Sequence, residues 1–521
     1  MLKQNIFTFN KSGHQYGQAY ASTQVTYLKS ISSYKPEEPQ QKAPSQLLPS
    51  KTASKQMYFD LTRKNFTQHD KLLSQLYLNE KLLAVEDLES DFPDNIADVE
   101  AWMDHNNSEV GKQYQEYLST RKNGAPRQLF KTKAHAYFFL QSVAPTKLVD
   151  GSWLYGLCDL WKDHRFSNLI KTYLEELGEG DDAKNHVVLY KKLLASHDCD
   201  QWQNLSDDYF TQGAIQLALG YNAKNYIPEI IGFNLGYEQL PLHLLVTAYE
   251  LKELGIDPYY FTLHITVDNA STGHARKALQ ALYETMPALA NTQEFFRRVS
   301  NGYKLNQLGL NTNKIIASFD LNKEFLSILK SKSFFGQSVH SDKCRFNGKT
   351  INDWLSDPAK IPDFVNSLIE NGWIKRDQDP QLSRFWKLIE GDTAKMFGVF
   401  NGYEKQVIYD WIAGKEHEKF MQPKPKAKTN VTYLNSALRS LENAISINQD
   451  TNTVANVIDP DVAKLEKQLA AAGSIDEIMN LLVPLISPSL HHNPMGLLAT
   501  QLYKSLLHKT PTVANNVASL S

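Results

Sequence analysis

The stretch 259-YYFTLHITVDNASTGHARKAL-279 decides how this chain is interpreted. It places His264, Asp268 and His274 within eleven residues of one another. Because a helix turns about 100° per residue, His264 and Asp268 lie on one face of a helix. An imidazole and a carboxylate that project together can bind a transition metal. His274 reaches the same point only through a helix irregularity, such as the break that Gly273 favours.

The composition of the whole chain is that of a globular protein. Of its 521 residues, 42% are hydrophobic and 11% are aromatic. A net charge of −2 without basic clusters argues against nucleic acid or a membrane surface as a partner. No apolar run reaches the roughly 20 residues that span a bilayer, and the first residues lack the apolar core of a signal peptide. Three cysteines without a pairing motif fit a reducing compartment. We therefore predict a cytoplasmic protein.

Helical periodicity dominates the chain, and alternating strand patterns are nearly absent. The sequence therefore predicts an all-α protein with a central helical bundle and an additional, mostly helical C-terminal region. Pro145 is predicted to end the first helix of the bundle, and Pro241 to break a later one. We divide the chain into a flexible N-terminal segment 1–56, an N-terminal helical region 57–126, a central metal-binding bundle 127–295, an aromatic-rich and mostly helical accessory region 296–420, a linker 421–460 and C-terminal helices 461–521.

Three more helical segments of the bundle each offer a candidate metal ligand. Glu176 lies near the end of one helix and His186 near the start of the next, so a glycine-containing turn lets both face the bundle axis. Glu238 has apolar neighbours, and a buried carboxylate normally has a positive partner or a metal. Bundles that hold two iron or manganese ions use this mixture of carboxylates and imidazoles. The predicted metal ligands are Glu176, His186, Glu238, His264, Asp268 and His274.

These residues resemble the ligand pattern of the haem-oxygenase-like diiron oxidases and oxygenases, a family of iron-containing redox enzymes. Its pattern is a Glu and a His that flank a helix turn, a Glu on a later helix, and H-x3-D-x2-H on the last helix. The resemblance covers about residues 130–290. The matching residues are, in chain order, Glu176 and His186, then Glu238 with Glu229 as the runner-up, then His264 and Asp268.

Two positions depart from the family pattern. Ser271 stands where the pattern has its last histidine, which leaves His274 as the nearest replacement. The family also has a carboxylate on the first helix of the bundle, whereas the predicted helix 134–144 has none in the matching place. Asp150 is the nearest substitute.

The resemblance implies an all-α, haem-oxygenase-like bundle that binds Fe²⁺, with two ions expected, and uses O2. It implies a non-haem oxidoreductase that acts on a small-molecule or carrier- or peptide-bound substrate. An external electron donor and a homodimer are compatible with it. Asn185, Tyr237 and Asn269 neighbour the ligands and are predicted to orient them through hydrogen bonds.

Three other interpretations stay open on the sequence alone. A metal-free enzyme of the thiaminase II or pyrroloquinoline-quinone synthase kind would share the bundle without needing all six ligands. A haem-degrading enzyme would need one proximal histidine, for which His135 is available. A non-catalytic interaction protein on a degenerate bundle would explain Ser271. His491 and His492, which precede Pro494, are predicted to mark a helix start rather than to bind metal.

Overall fold

The computed structural model describes residues 53–63, 66–267, 273–287, 291–391, 394–416 and 460–509. All of these residues belong to the compact unit Thr52–Ser521. The predicted flexible segment 1–56 lies outside the described residues except for its last four, and the predicted linker 421–460 does so except for Pro460. The predicted domain boundaries stay predictions.

The described residues form α-helices and one very short pair of strands. β1 (Arg345–Phe346) and β2 (Lys349–Thr350) pair antiparallel. The prediction of an all-α fold is therefore confirmed. No helix among the described residues is long and apolar enough to cross a bilayer. The helices are α1 (Ser54–Thr62), α2 (Gln68–Val85), α3 (Val99–Lys122), α4 (Lys133–Lys147), α5 (Ser167–Glu176), α6 (His186–Ala195), α7 (Thr211–Tyr221), α8 (Ile227–Tyr237), α9 (Leu242–Glu253), α10 (Tyr259–Val267), α11 (His274–Thr285), α12 (Thr292–Lys304), α13 (Thr312–Ala317), α14 (Leu321–Gly336), α15 (Ile351–Leu355), α16 (Ile361–Glu370), α17 (Arg384–Ile389), α18 (Gly402–Ala413), α19 (Pro460–Ala471), α20 (Ile475–Leu482) and α21 (Pro494–Lys509).

The two prolines of the bundle behave differently. The break predicted at Pro241 is confirmed, because α8 ends at Tyr237 and α9 begins at Leu242. The prediction that a helix ends at Pro145 is wrong, because α4 continues to Lys147. A proline in the last turn removes only the one backbone hydrogen bond that its own N–H would donate. Beyond Pro145, the N–H of Leu148 still donates to Ala144 O at 2.9 Å, so the helical hydrogen bonding continues past the proline. The extra residues place Lys147 on the helix.

Two hydrophobic cores hold the described helices together. The first core combines α1, α2, the start of α3, α5, α7, α8, α11, α12 and the C-terminal helices α20 and α21. The second core combines α4, α6, α9 and α10 with the helices between 312 and 413. Helices of the central bundle are therefore divided between the cores, and the cores meet inside the bundle.

Helices α8 and α12 approach each other through two glycines. A Cβ atom on Gly232 would collide with the backbone carbonyl oxygen of Val299, and one on Gly302 would collide with the backbone of Glu229. The two backbones are thus in direct contact, which only glycine permits. This contact fixes the position of α8 and of Glu238, which directly follows it.

Replacing Gly232 with Ala is expected to destabilise the protein by about 3 kcal/mol, because the new methyl group must push two packed helices apart. Gly111, in α3, is the matched control, since a Cβ added there meets nothing within 4 Å. Gly111→Ala is expected to stabilise the protein by about 0.5 kcal/mol through the higher helix propensity of alanine. Urea denaturation of both variants measures the difference, and equal stabilities would contradict the packing argument.

Candidate metal centre

Buried carboxylates and imidazoles converge at the ends of the bundle helices. Glu176 is the last residue of α5, and His186 is the first residue of α6, as predicted. Glu238 directly follows α8, and His274 begins α11. His264 lies within α10. Each of these five residues is at most 5% exposed.

One group of four residues surrounds a common point. The four are Asp150, Glu176, His186 and His264, and one ligand atom of each lies within 4.8 Å of the others. His264 Nε2 lies 3.1 Å from Asp150 Oδ2. His186 Nδ1 lies 2.5 Å from Glu176 Oε2 and 3.9 Å from Asp150 Oδ2. Two carboxylates and two imidazoles therefore face one another in the interior.

A second group contains Glu176, Glu238 and His274. His274 Nδ1 lies 3.2 Å from Glu176 Oε1 and 3.1 Å from Glu238 Oε2. Glu176 is the one residue that the two groups share, and its two oxygens face different groups. Oε2 faces His186, and Oε1 faces His274. A carboxylate in this orientation can bridge two metal ions.

The outer nitrogen of two histidine rings has a protein acceptor. His264 Nδ1 lies 2.9 Å from the carbonyl oxygen of Tyr260, and His274 Nε2 lies 2.8 Å from Glu175 Oε2. The inner nitrogen of each ring faces a carboxylate oxygen at hydrogen-bond distance, so without a metal ion a proton lies between the two atoms. Loss of that proton would leave a lone pair on the inner nitrogen, which can bind a metal ion.

The charges of the first group depend on one another. Burial would raise the pKa of Glu176, but His186 and His274 hold it well below its ordinary value. Burial would also lower the pKa of His264, but the hydrogen bond to Asp150 and the negative charges of Asp150 and Glu176 together outweigh it and raise the pKa to about 9. Asp150 is held at a pKa of about 2, against its burial, chiefly by Lys147 and His264. The carboxylates are therefore ionised and available as ligands at neutral pH.

A glycine brings Asp150 close to Glu176. Gly151 has a φ of +75°, and a Cβ there would lie 2.8 Å from Glu176 Cβ. Only glycine tolerates both the left-handed backbone and this distance. Asp150 Oδ2 accepts a hydrogen bond from Tyr260 Oη at 2.7 Å, whereas its buried Oδ1 has no hydrogen-bond partner among the described residues. A buried carboxylate oxygen without a partner fits a metal ligand.

The structure brings together five of the six predicted ligands and leaves one unplaced. Glu176, His186, Glu238, His264 and His274 lie in the two groups, whereas Asp268 lies outside the described residues, as do Ser271 and Asn269. His274 arrives through a break between α10 and α11, with extended backbone at Gly273. The role of these residues as ligands stays a prediction.

The contacts of Glu229, His135 and Asp150 bear on three assignments that the sequence left open. Glu229, the runner-up for Glu238, forms an ion pair with Arg298 at 2.6 Å and belongs to neither group. Both ring nitrogens of His135 have backbone partners, namely Ile316 O at 2.8 Å and Lys131 N at 3.3 Å. His135 therefore has no free nitrogen for a haem iron. Asp150, the substitute for the carboxylate of the first helix, lies in the first group.

Residues around the ligands include two that the sequence did not indicate. Glu175 binds both His274 and Lys277, the latter at 2.5 Å. Lys147 Nζ lies 3.0 Å from Tyr237 Oη and 3.9 Å from Asp150 Oδ2. Predicting the roles of Glu175 and Lys147 from the sequence would have required knowing which helix faces pack against each other. Of the predicted orienting residues, Asn185 caps α6 and Tyr237 contacts Lys147.

A cavity of about 270 Å³ adjoins the two groups. Asp150, Glu176, Glu238 and His264 form one part of its wall. The remaining wall is largely apolar and includes the side chains of Phe139, Val143, Leu244, Phe261, Leu310 and Ile315. A small organic molecule in this cavity would contact the candidate metal ligands directly.

Comparison with known proteins identifies the region that carries these groups. Residues 137–307 match the family model described as an iron-containing redox enzyme. This region is haem-oxygenase-like. The resemblance predicted from the sequence is therefore confirmed for residues 137–307, and the family that they match is one of iron-containing redox enzymes. The matched region contains Asp150 and all six predicted ligands of the haem-oxygenase-like bundle. No curated protein and no solved structure matches the chain significantly.

Proposed function

We propose that this protein is a non-haem diiron enzyme that uses O2 to oxidise a small organic substrate. The observation that carries the proposal is the orientation of Glu176, whose two oxygens face two separate groups of ligands. Asp150, His186 and His264 would hold one ion, and Glu238 and His274 the other, with Glu176 between them. Bound iron(II) would supply the electrons that activate O2.

The protein's own contribution is to hold and orient these groups. The carbonyl oxygen of Tyr260 and the carboxylate of Glu175 fix the rings of His264 and His274. Tyr260 donates a hydrogen bond to Asp150 Oδ2, and Lys147 forms a longer ion pair of 3.9 Å with the same oxygen. The apolar side of the cavity excludes water from the reacting substrate. Preorganised ligands of this kind bind metal without a further cost of ordering.

Anaerobic titration of the full-length protein with iron(II) tests the proposal. We expect two equivalents to bind and O2 to be consumed when it is admitted. The zinc-loaded protein is the control, because zinc binds the same ligand types without redox chemistry. Binding of a single equivalent would contradict a dinuclear centre. No binding of iron would contradict the proposed function and favour a metal-free enzyme.

The charges at the cavity favour an acidic substrate. Three carboxylates face the centre in the described residues, from Asp150, Glu176 and Glu238. Two divalent ions and the Lys147 ammonium exceed that negative charge, and they would still exceed it with Asp268 as a fourth carboxylate. Burial would lower the pKa of Lys147, but Asp150, Tyr237 and Glu176 together outweigh it and raise the pKa, so this cation persists. An organic anion would balance the excess.

The cavity wall also offers groups that can hold such an anion. Lys147 lines the cavity, and its ammonium has a third N–H beside those facing Tyr237 and Asp150. Thr247 lines the same cavity, and its buried Oγ1 has no hydrogen-bond partner among the described residues. We therefore propose a substrate with a carboxylate or similar anionic group near Lys147 and an apolar body against Phe139 and Leu244.

Replacing Lys147 with Met is expected to weaken binding of octanoate to the zinc-loaded protein at least about tenfold, or 1.4 kcal/mol. Binding of octanamide, which has no charge, should change less than about twofold. Lys133→Met is the matched control, because Lys133 begins the same helix and does not line the cavity. Calorimetry measures both ligands. An equal effect on octanoate and octanamide would contradict an anion site at Lys147.

A further inference from the structure

The C-terminal helices contact the turn that joins two candidate ligands. The turn 177–185 connects Glu176 to His186, and α21 packs against it. Gln501 Nε2 donates to the carbonyl oxygen of Gly180 at 2.9 Å, and Lys504 Nζ lies 2.5 Å from Glu179 Oε2. The residues that match the family end at 307, so this contact comes from a part of the chain outside the match.

The closest contact to the ligands is made by His491. Its Nδ1 accepts a hydrogen bond from Asn185 Nδ2 at 3.1 Å. Asn185 directly precedes His186, and its Oδ1 accepts from the Val188 N–H at 3.1 Å to cap α6. Asn185 Nδ2 also donates to Leu177 O at 3.1 Å. The Asn185 amide therefore connects the end of α5, the start of α6 and the C-terminal segment.

The surroundings of His491 make this contact rigid. The ring is 1% exposed, and burial holds its pKa well below its ordinary value. A neutral ring whose Nδ1 accepts from Asn185 carries its proton on Nε2. Asn185 itself is fully buried, so its amide cannot exchange His491 for bulk water.

From these contacts we propose that the C-terminal segment 460–509 is part of the metal centre, and that His491 is a positioning residue for His186. His491 holds the Asn185 amide, the amide sets the first turn of α6, and that turn aims His186 Nδ1 at Glu176 and Asp150. Gln501 supports the same turn from its other end. The inference rests on the proposed metal centre, but it concerns residues that would not touch the metal.

Cobalt(II) titration of the full-length protein, followed by visible absorbance, tests the inference. We expect His491→Ala to weaken binding at least about tenfold, the scale seen when a group that orients a metal ligand is lost. His491→Gln keeps a hydrogen-bond acceptor and should recover much of the affinity. His492→Ala is the matched control, because His492 is the next residue and its buried Nδ1 makes no hydrogen bond to any described residue. It should bind cobalt like the wild type.

Thermal unfolding with and without cobalt separates positioning from simple packing. Lost packing lowers the unfolding temperature of both forms equally, whereas lost positioning reduces the increase that cobalt causes. Gln501→Ala, an exposed substitution, should reduce that increase and leave the metal-free protein nearly unchanged. This second variant decides the question if His491→Ala does not fold.

The two proposals fail in different ways. If the wild type binds no cobalt or iron, the proposed metal centre is wrong. If the wild type binds metal while His491→Ala and Gln501→Ala bind it with wild-type affinity, the centre stands and the positioning role is overturned. Equal losses in His491→Ala and His492→Ala would also overturn it. Of these two histidines, His491 is the one whose ring is hydrogen-bonded to Asn185.

Discussion

Replacing Glu176 with Gln is expected to abolish binding of both metal ions, with a loss of about a hundredfold or more in each affinity. Glu176 is the one residue shared by the two ligand groups. Glutamine lacks the negative charge, and its NH2 would replace one of the two oxygens, so one of the two ligand groups would lose its shared oxygen. Losing a residue that only orients a ligand costs 10- to 100-fold, so losing a shared ligand should cost at least as much. Iron(II) titration with elemental analysis measures the loss.

The fold of the Glu176→Gln variant should survive. Asp150 and Glu238 remain as counter-charges for the histidines, so the metal-free unfolding temperature is expected to change by only about 4 °C. Glu229→Gln is the control at another buried glutamate. It breaks the ion pair with Arg298 and should lower stability, yet it should still bind two ions. Two bound ions in Glu176→Gln would refute the shared ligand.

Replacing Glu238 with Gln is expected to remove one ion and leave the other. Glu238 belongs only to the second group, in which just two further residues, Glu176 and His274, are described. Asp150→Asn is the reciprocal variant, because Asp150 belongs only to the first group. Each variant should bind one equivalent of iron(II), and the double variant none. Elemental analysis after desalting gives the stoichiometry.

The control for these two variants is Glu250→Gln. Glu250 is buried, but it accepts hydrogen bonds from Tyr117 Oη and from the N–H groups of residues 128–130. It belongs to neither ligand group, so its loss should reduce stability and leave two ions bound. If Glu238→Gln retains two equivalents, Glu238 is not a ligand.

The sequence indicated which candidate residues approach one another where those residues lie next to helix ends. Glu176 and His186 were predicted from a glycine-containing turn, and Glu238 from its apolar neighbours before Pro241. These local signals determine which residues face the interior. Glu229 has equally apolar neighbours, and its exclusion required Arg298, which lies on a helix 69 residues later.

Long-range contacts could not be predicted in the same way. The sequence does not place Lys147 on a helix, because the predicted helix ends at Pro145, whereas α4 continues to Lys147. Glu175 was missed because its role depends on which face α11 presents. His491 lies 306 residues from Asn185, and no spacing in the sequence connects them. Such pairs depend on the packing of whole helices rather than on any local pattern.

The division of the bundle between two hydrophobic cores has a thermodynamic consequence. Glu176, Glu238 and His274 belong to helices of the first core or directly follow one, whereas His186 and His264 belong to helices of the second. Metal ions shared among these residues would act as a cross-link between the two cores. Chelation should therefore weaken cooperativity before it weakens either core, and a single unfolding transition should become two. The metal would then determine whether the two halves of the bundle behave as one folding unit.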